Sequence, residues 1–348
     1  MDRAPWTGGS SSGSNFNVGS DSNSSSSYEL DIARAIELIG KSGAKCVGLQ
    51  APEGLKRSLP AIARAISRDT GAEVIISGDP CYGACDVDMA LIDEVDLMLH
   101  LGHAELDEGP QKVIFLEARM PQDLRDAVER AVPLLRSGKI GITTTIQHVH
   151  KLNHVLDVLK GHGIEGIIGK TGGRIKYPGQ VLGCCYSTAR DLDVREYLFI
   201  GTGMFHPLGI ALSTGKRVVA ADPVTGEVSE IDTEPMLRRR FGAIARAMDS
   251  RRFAVLVSKK HGQRRMKLAR RLKELGEARG KEMFLVYLDN IEPDRLLNLG
   301  AEAAISTACP RIALDDAAKY KIPVLTPPEF EVLVGERRWE EYEFDEIE

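Results

Sequence analysis

The sequence has no apolar run long enough to cross a membrane, few aromatic residues and few cysteines. A membrane-spanning helix needs roughly 18 to 20 unbroken apolar residues, and no segment approaches that length. Six cysteines in 348 residues are too few for the disulfide framework of a small secreted protein. A net charge of −5 gives no reason to expect nucleic acid or an acidic membrane as a partner. What remains is a cytoplasmic protein whose reduced thiols are free to bind a metal.

Two segments differ in composition from the rest of the chain. Residues 1–28 contain ten serines and no apolar core of a signal peptide, so we expect a flexible leader outside the fold. Residues 336–348 carry seven acids against two arginines, and we expect an acidic tail. Neither segment is expected to touch a functional site.

Between these segments, short β-rich apolar runs alternate with longer helical patterns. This alternation predicts parallel sheets covered by helices. The predicted strands are residues 44–49, 73–77, 95–99, 113–116, 139–143, 166–168, 180–182, 198–200, 218–221, 253–257, 283–288, 303–306 and 323–325. The predicted helices are residues 28–39, 55–69, 122–137, 146–160, 234–248, 263–277 and 293–299.

The predicted strands fall into three groups that begin near residues 44, 139 and 253. We therefore predict an α/β fold of three similar units, each with a parallel sheet of about four strands flanked by helices. The units are placed at residues 29–137, 138–249 and 250–335. One large doubly wound sheet is the alternative that the pattern leaves open.

Most of the cysteines and histidines follow predicted strands. Ligands of parallel α/β sheets bind beyond the carboxyl ends of the strands, where loops converge and helix N-termini present their donors. Five of the six cysteines and five of the eight histidines lie in such loops. The remaining thiol, Cys46, lies inside the first strand and is expected to be an inert core residue.

Three of these cysteines are spaced for a shared metal centre. Cys85, Cys184 and Cys309 lie about a hundred residues apart, one in each predicted unit, in loops with glycine or proline. Backbone N–H groups of such loops can donate to sulfide and thiolate. Three thiolates meeting at the centre of three units would hold three irons of a 4Fe-4S cluster and leave the fourth open. Spacing alone also allows Cys81 or Cys185 as a ligand, or three unrelated buried thiols.

Motifs of other functions are incomplete. Cys81 and Cys85 have the first spacing of the radical S-adenosylmethionine loop, C-x3-C-x2-C, but its third cysteine is absent. The string GIEGIIGKT at residues 163–171 has five residues between its outer glycines where a phosphate loop needs four. Residues 201–203 lack the third glycine of a dinucleotide fingerprint.

The string GDPCYGACD at residues 78–86 resembles the diphthamide biosynthesis family, in particular its archaeal 2-(3-amino-3-carboxypropyl)histidine synthases. The resemblance covers about residues 28–330. It continues at residues 51–55, 101–103, 147–148, 181–184, 203–207, 262–263 and 308–311. YGAC, LGC and ACP together are specific, whereas each string alone is weak.

The resemblance implies a homodimer of three-unit subunits in which Cys85, Cys184 and Cys309 hold a central 4Fe-4S cluster. It implies transfer of the 3-amino-3-carboxypropyl group of S-adenosylmethionine to the imidazole C2 of a histidine on translation elongation factor 2, the first step of diphthamide formation. One electron, delivered by an external donor, would cleave the bond from sulfur to the γ-carbon and release methylthioadenosine. The pose of the sulfonium beside the open iron would decide which bond breaks.

Since the resemblance implies S-adenosylmethionine as cosubstrate, we expect the loops at the strand ends to form its pocket. Backbone donors and side-chain amides would hold its amino acid part and its ribose, and carboxylates would contact its hydroxyl or ammonium groups. The predicted pocket residues are Gln50, Glu53, Gly54, His103, Gln147, Gly203, His206, Asp222 and Gln263. Each of them could instead belong to a tight turn.

Two other functions remain open at this point. A quinolinate synthase also combines three α/β units with three cysteines on an open-iron cluster, which it uses as a Lewis acid; the string YGAC argues against it. A non-catalytic, cluster-bearing partner subunit is the second alternative, and the presence of all three cysteines argues against it.

Overall fold

The computed structural model describes residues 16–19, 27–106 and 109–347. Its strands β1 to β15 are Phe16–Gly19, Ser27–Leu30, Cys46–Gln50, Glu73–Ile76, Leu97–Leu101, Val113–Leu116, Lys139–Thr144, Glu165–Ile168, Glu196–Ile200, Arg217–Ala221, Val228–Glu230, Arg252–Ser258, Glu282–Leu288, Ala303–Ser306 and Val324–Leu325. Its helices α1 to α13 are Ile32–Ser42, Glu53–Lys56, Leu59–Thr70, Met89–Glu94, Arg125–Ala131, Leu152–Gly161, Ser187–Arg190, Phe205–Thr214, Glu234–Ala247, Met266–Ala278, Pro293–Asn298, Arg311–Leu314 and Pro327–Leu333.

The described residues form two compact units. The first unit comprises the described residues up to Cys81 together with Ala90–His103 and Pro110–Pro121. The second comprises Tyr82–Met89, the described part of 104–109, and the chain from Gln122 onward. The segment that carries Cys85 therefore belongs to the second unit, although its neighbours in sequence form the sheet of the first.

The sheet of the first unit has the strand order β4-β3-β5-β6, and all its strands are parallel. Apolar residues at helical spacing place one face of α1 and one face of α3 on this sheet. The α1 helix begins after Asp31, whose carboxylate accepts a hydrogen bond of 3.0 Å from the Arg34 backbone. It ends at Gly43, which has a φ of 69° in the left-handed region that favours glycine.

The second unit contains two sheets. One has the order β11-β10-β9-β7-β8, in which only β11 is antiparallel to its neighbour. The other has the order β13-β12-β14-β15 and is parallel throughout. Their inner strands β7, β9, β10, β12 and β14 are almost entirely buried, because helices cover both faces, whereas the edge strands β8, β11 and β13 are partly exposed. The first unit thus contains one sheet and the second contains two. The prediction of three α/β units, each built on its own sheet, is confirmed, and the alternative of one continuous sheet is wrong.

Several predicted elements differ from the structure. Residues 180–182 make only isolated bridges, since Gly179, with a φ of 69°, turns the chain just before them. The first helix starts later than predicted, because Tyr28 lies in β2, which pairs with β1 in an antiparallel ribbon. Most of the leader predicted at residues 1–28 lies outside the described residues, but β1 falls within it.

The described part of the predicted acidic tail is not separate from the fold. Phe344, Asp345 and Ile347 are buried, and Phe344 packs edge-on against the Tyr186 ring at 5.3 Å between centroids. The expectation that this segment stays away from the site is wrong, as its contacts below show. In the described residues, no helix combines the length and apolar character that crossing a membrane requires.

Candidate metal centre

The thiol of Cys85 lies in the loop that follows β4 and contacts the loop that follows β12. The side-chain amide of Gln263 donates to the Cys85 Sγ at 3.3 Å, and the backbone N–H of Gly262 donates to the Cys85 carbonyl at 3.2 Å. Burial raises the pKa of the Cys85 thiol, while the hydrogen bond from Gln263 opposes this increase. The side-chain amide of Gln263, a predicted pocket residue, therefore already donates a hydrogen bond to the Cys85 thiol.

Gly262 allows this close approach because it has no side chain. A Cβ at this position would lie 2.5 Å from the Cys85 Cα and 3.0 Å from a guanidinium nitrogen of Arg174. Atoms cannot approach so closely, so either the Cys85 loop or the Gly262 loop would have to move. The glycine is therefore a packing requirement of the site.

The thiol of Cys184 receives a donor from Arg174. The Nη1 of Arg174 lies 3.7 Å from the Cys184 Sγ, and its Nη2 donates to the Gly262 carbonyl at 2.7 Å. One guanidinium therefore joins the Cys184 thiol to the backbone that packs against Cys85. Sequence reasoning missed Arg174, which lies in an irregular segment ten residues before Cys184.

The thiol of Cys309 lies between β14 and α12. Burial, followed by the nearby Cys85, raises the pKa of the Cys309 thiol to about 12, and the backbone N–H of Arg311 donates to the sulfur and opposes the increase. The guanidinium of Arg311 lies 4.6 Å from the centre of the Phe205 ring and pairs with Asp315 at 2.8 Å. Each of the three thiols thus has one N–H donor.

The three thiols are close enough to influence one another. Burial raises the pKa of Cys184 strongly, and the neighbouring Cys85 and Cys309 raise it further, whereas Arg174 lowers it. Thiols that disfavour each other's negative charge lie near one another, and Cys85 and Cys184 also have Arg174 as a common neighbouring cation. A cation that binds thiolates would relieve this repulsion.

This donor set fits an iron-sulfur cluster. Cluster thiolates are stabilised by N–H donors to sulfur and by limited exposure to solvent. Gln263, Arg174 and the Arg311 backbone supply one such donor to Cys85, Cys184 and Cys309, respectively. Arg174 also places positive charge beside a group that would carry net negative charge.

The two alternative cysteines have other surroundings. The Sγ of Cys185 is buried and lies 3.6 Å from the Ser187 hydroxyl. The Sγ of Cys81, in the first unit, lies 3.9 Å from the His100 Nε2. The third thiol outside the set, Cys46, begins β3 and is half-buried, so the expectation of a core thiol is wrong.

The first unit contains its own group of potential metal ligands. The ligand atoms of Cys81, His100 and His103 lie within 4.8 Å of one another. The His100 ring bonds to the His103 Nδ1 at 2.9 Å and to the Gln50 Oε1 at 3.0 Å. Burial lowers the pKa of His103 to about 4 and that of His100 well below its usual value. Two neutral rings and an amide therefore form one hydrogen-bonded network at the carboxyl ends of β3 and β5.

Two other predicted pocket residues of the first unit face solvent. Glu53 begins α2, is exposed and pairs with Lys56 at 2.6 Å. Gly54 follows it and is exposed, with open space where a Cβ would be. Within this unit the structure brings Gln50 and His103 together through His100, while Glu53 and Gly54 take no part in that network.

The loop after β7 carries two unsatisfied polar atoms. Among the described residues, the Gln147 Oε1 and the His148 Nδ1 are buried without a hydrogen-bond partner. Burial lowers the pKa of His148 to about 4, so the ring is neutral at pH 7, and nearby Asp222 opposes this decrease. Buried polar atoms without partners are uncommon, and a bound water, ion or ligand can satisfy them.

Asp222 itself is already engaged in a turn. Its carboxylate accepts from the backbone N–H of Val224 at 2.8 Å and of Thr225 at 3.1 Å. This arrangement is typical of an aspartate that closes a turn rather than one that waits for a ligand. Asp222 lies after β10, and it is near enough to His148 to act on its charge.

The last two predicted pocket residues lie at the start of α8. Gly203 has a φ of 79° and is exposed, with open space around it. The His206 ring stacks on Phe199 at 6.0 Å between centroids, and burial lowers its pKa to about 4. A neutral, stacked ring can hold a ligand by packing but brings no charge.

Comparison with known proteins gives a consistent result. Residues 51–343 match the family model described as diphthamide synthesis protein. The chain is 40% identical to the 2-(3-amino-3-carboxypropyl)histidine synthase of Pyrococcus horikoshii over 92% of this chain and 94% of that protein. It is 30% identical to the synthase of Methanocaldococcus jannaschii over 91% of both. The crystal structure of Pyrococcus horikoshii Dph2 with a 4Fe-4S cluster matches with a TM-score of 0.87 and 38% identity, over 92% of this chain and 94% of that one.

Proposed function

The chain belongs to the diphthamide synthesis protein family, and from this premise we propose that Cys85, Cys184 and Cys309 hold the 4Fe-4S cluster on which its activity depends. It is a 2-(3-amino-3-carboxypropyl)histidine synthase, a transferase of diphthamide biosynthesis. Its cofactor is a 4Fe-4S cluster, as in the Pyrococcus structure, and S-adenosylmethionine is the cosubstrate that the enzyme name implies. The quinolinate synthase alternative is therefore wrong.

One observation carries the choice of ligands: three half-buried thiols act on each other's charge, and each accepts its own N–H donor. Cys185 is a weaker candidate than Cys184, because its thiol is buried beside the Ser187 hydroxyl. Cys81 is weaker than Cys85, because its thiol lies in the histidine network of the first unit.

When bound, the reduced cluster supplies the electron that cleaves the bond between the sulfonium sulfur and the γ-carbon of S-adenosylmethionine. The protein's own part is to hold this bond beside the open iron and to keep water away. The buried Gln147 and His148 are the best supported contacts, since each has an unsatisfied polar atom. The neutral His148 ring can hydrogen-bond to the cosubstrate without repelling the sulfonium cation.

The remaining predicted residues of the S-adenosylmethionine pocket stay part of the proposal, but the contacts that support them differ. Gln50 and His103 reach each other through the His100 ring, and a ligand at the strand ends of the first unit could exchange for these bonds. Glu53, Gly54, Gly203, His206 and Asp222 have less support. The Glu53 carboxylate forms an ion pair with Lys56, and the Asp222 carboxylate accepts hydrogen bonds within its own turn. Open space surrounds the two glycines, so their contacts give no support for a ligand.

Diphthamide is a modified histidine, and the family resemblance implies that this histidine belongs to translation elongation factor 2. We therefore propose that factor as the acceptor. We propose further that the enzyme works in the cytoplasm as a homodimer and that an external donor reduces its cluster. The three similar α/β units at residues 29–137, 138–249 and 250–335, with one cysteine each, remain a proposal. A mixed dimer with a cysteine variant in one subunit would test whether both clusters are needed.

The activity is tested with anaerobically reconstituted, dithionite-reduced protein, S-adenosylmethionine and elongation factor 2. We expect methylthioadenosine without 5′-deoxyadenosine, together with a mass increase on one histidine of the factor. Release of 5′-deoxyadenosine would contradict the proposed bond cleavage. An intact cluster without any turnover would instead favour a non-catalytic subunit.

The ligands are tested by replacing one cysteine at a time. Cys85→Ala, Cys184→Ala and Cys309→Ala should each lower the bound iron and abolish methylthioadenosine release. Cys185→Ala, Cys81→Ala and Cys46→Ala are the matched controls and should keep the cluster absorption. If Cys185→Ala loses iron while Cys184→Ala retains it, the ligand is Cys185 and the proposed set is wrong.

A further inference from the structure

Residues 344–347, the 344–347 segment, contact the Cys184 loop directly and the Cys309 loop through Arg265. Phe344 packs against the Tyr186 and Phe205 rings, with centroids at 5.3 Å and 6.4 Å. The side chains of this segment that the sequence would place in solvent, Asp345 and Glu346, are both largely buried. Burying carboxylates costs free energy, so each needs partners that compensate for lost water.

On one side the segment holds the Cys184 loop. The Ile347 backbone N–H donates to the Cys184 carbonyl at 2.8 Å. The Glu346 carboxylate accepts from the Tyr186 backbone N–H at 2.7 Å and pairs with Arg190 at 2.8 Å. These bonds fix the backbone on the ligand itself and on the second residue after it.

On the other side the segment meets Arg265, whose guanidinium is fully used. Its Nη1 and Nη2 donate to the two Asp345 oxygens at 2.7 Å and 2.6 Å, and Nη1 also donates to the Glu346 carbonyl at 3.2 Å. Its remaining donors reach the carbonyls of Thr307 at 2.8 Å and Ala308 at 3.0 Å. All five N–H groups of Arg265 therefore have acceptors.

Thr307 and Ala308 are the two residues that precede Cys309. Arg265 itself lies two residues after Gln263, which donates to the Cys85 thiol. A short path of backbone and hydrogen bonds thus runs from Gln263 to Arg265 and on to the Cys309 loop. A second branch runs from Arg265 through Asp345 and the backbone to Ile347, which bonds to the Cys184 loop. Bidentate arginine–carboxylate pairs are geometrically specific, so they suit a positioning role.

We infer that Arg265 and the 344–347 segment are positioning elements that hold the Cys184 and Cys309 loops in ligand geometry before any metal binds. The segment acts through the loops, and its side chains do not touch the reacting atoms. This inference rests on the proposed ligand set, yet its main test uses the metal-free protein.

The test exploits a backbone donor. Ile347→Pro removes the N–H that bonds to Cys184, whereas Ile347→Val keeps it and changes little volume. Glu346→Ala removes the acceptor of the Tyr186 N–H, whereas Glu346→Gln retains an acceptor oxygen and should rescue the effect. The rate of maleimide labelling of each cysteine is followed by peptide mass spectrometry on metal-free, anaerobic protein.

We expect Cys184 to label about fivefold faster in Ile347→Pro and Glu346→Ala, the change that loss of one hydrogen bond gives. Cys46, which lies in the first unit, should label at an unchanged rate and serves as the internal reference. After reconstitution, the same two variants should lose iron to a chelator faster than Ile347→Val and Glu346→Gln.

Equal Cys184 labelling in Ile347→Pro and Ile347→Val would overturn the inference. If Ile347→Pro does not fold, the Glu346 pair decides by the same comparison. A wild-type protein that binds no iron would defeat the proposed ligand set, while the labelling result would still show whether the segment orders the Cys184 loop.

Discussion

Arg174 and Cys184 lie on one segment of irregular backbone, with the guanidinium Nη1 3.7 Å from the Sγ, and the same guanidinium donates to the Gly262 carbonyl. The arginine therefore does two things at once. It favours the thiolate forms of Cys184 and Cys85, and it ties the Cys184 loop to the backbone that packs against Cys85.

Replacing Arg174 should weaken metal binding without unfolding the protein. Arg174→Gln retains hydrogen-bonding capacity but removes the positive charge, so we expect lower iron occupancy after reconstitution and faster loss of iron to a chelator. Lys176→Gln removes a charge two residues away on the exposed surface and is the matched control. Equal iron retention in the two variants would show that Arg174 has no part in the site.

A methyl group at position 262 should displace the Cys85 loop. Gly262→Ala places a Cβ 2.5 Å from the Cys85 Cα, so we expect loss of bound iron and a lower melting temperature. Gly242→Ala is the control, since a Cβ there meets nothing within 4 Å and the residue lies inside α9, where alanine is favoured. Iron content and thermal unfolding of both variants check the prediction. Full iron content in Gly262→Ala would mean that the two loops are not packed as described.

The sequence predicts the fold better than it predicts the surroundings of the proposed ligand cysteines. Continuous apolar runs with turn residues at both ends identified strands such as β12, and loop positions at strand ends suggested the candidate cysteines. Arg174, by contrast, acts on Gly262, 88 residues away, and no periodicity marks such a contact. The acidic composition of the tail suggested solvent exposure. The sequence did not reveal the partner of Asp345, because Arg265 lies 80 residues away.

Asp222 and Gln263 show why single pocket residues were hard to assign. Both are polar residues at strand ends, as a cosubstrate contact should be. The Asp222 carboxylate nevertheless caps the backbone of its own turn, and the Gln263 amide donates to a thiol. A position at the carboxyl edge of a sheet indicates where chemistry can happen, but the partner of each side chain depends on tertiary contacts.

A buried ion pair in the second unit should contribute strongly to stability. The Arg240 side chain is 2% exposed and forms a two-point pair with the fully buried Glu329, at 2.7 Å and 2.6 Å. Arg240→Met leaves this carboxylate unpaired, and such losses cost about 3 to 5 kcal/mol of unfolding free energy. Arg238→Met breaks an exposed pair on the same helix and should change stability little. Urea unfolding of the metal-free variants checks this, and similar midpoints would contradict it.

Buried histidines should make the protein less stable in mild acid. Burial lowers the folded-state pKa of His148 to about 4, against an unfolded value of about 6.5. Between these values the unfolded chain binds a proton that the folded ring does not bind. The contribution of the neutral His148 ring to the free energy of unfolding is therefore complete above pH 6.5 and is lost as the pH falls towards 4. One such residue changes the free energy of unfolding by at most about 1.4 kcal/mol per pH unit.

His148→Gln should remove this share of the pH dependence. Urea unfolding of metal-free protein between pH 4.5 and 7.5 should give a shallower decline for His148→Gln than for the wild type. Asp86 and Asp345, whose pKa values burial raises, oppose the trend, but they are present in both proteins and cancel in the difference. His154→Gln, at a half-exposed ring, is the control. Parallel curves for the wild type and His148→Gln would mean that the ring takes up its proton as easily in the folded state as in the unfolded chain.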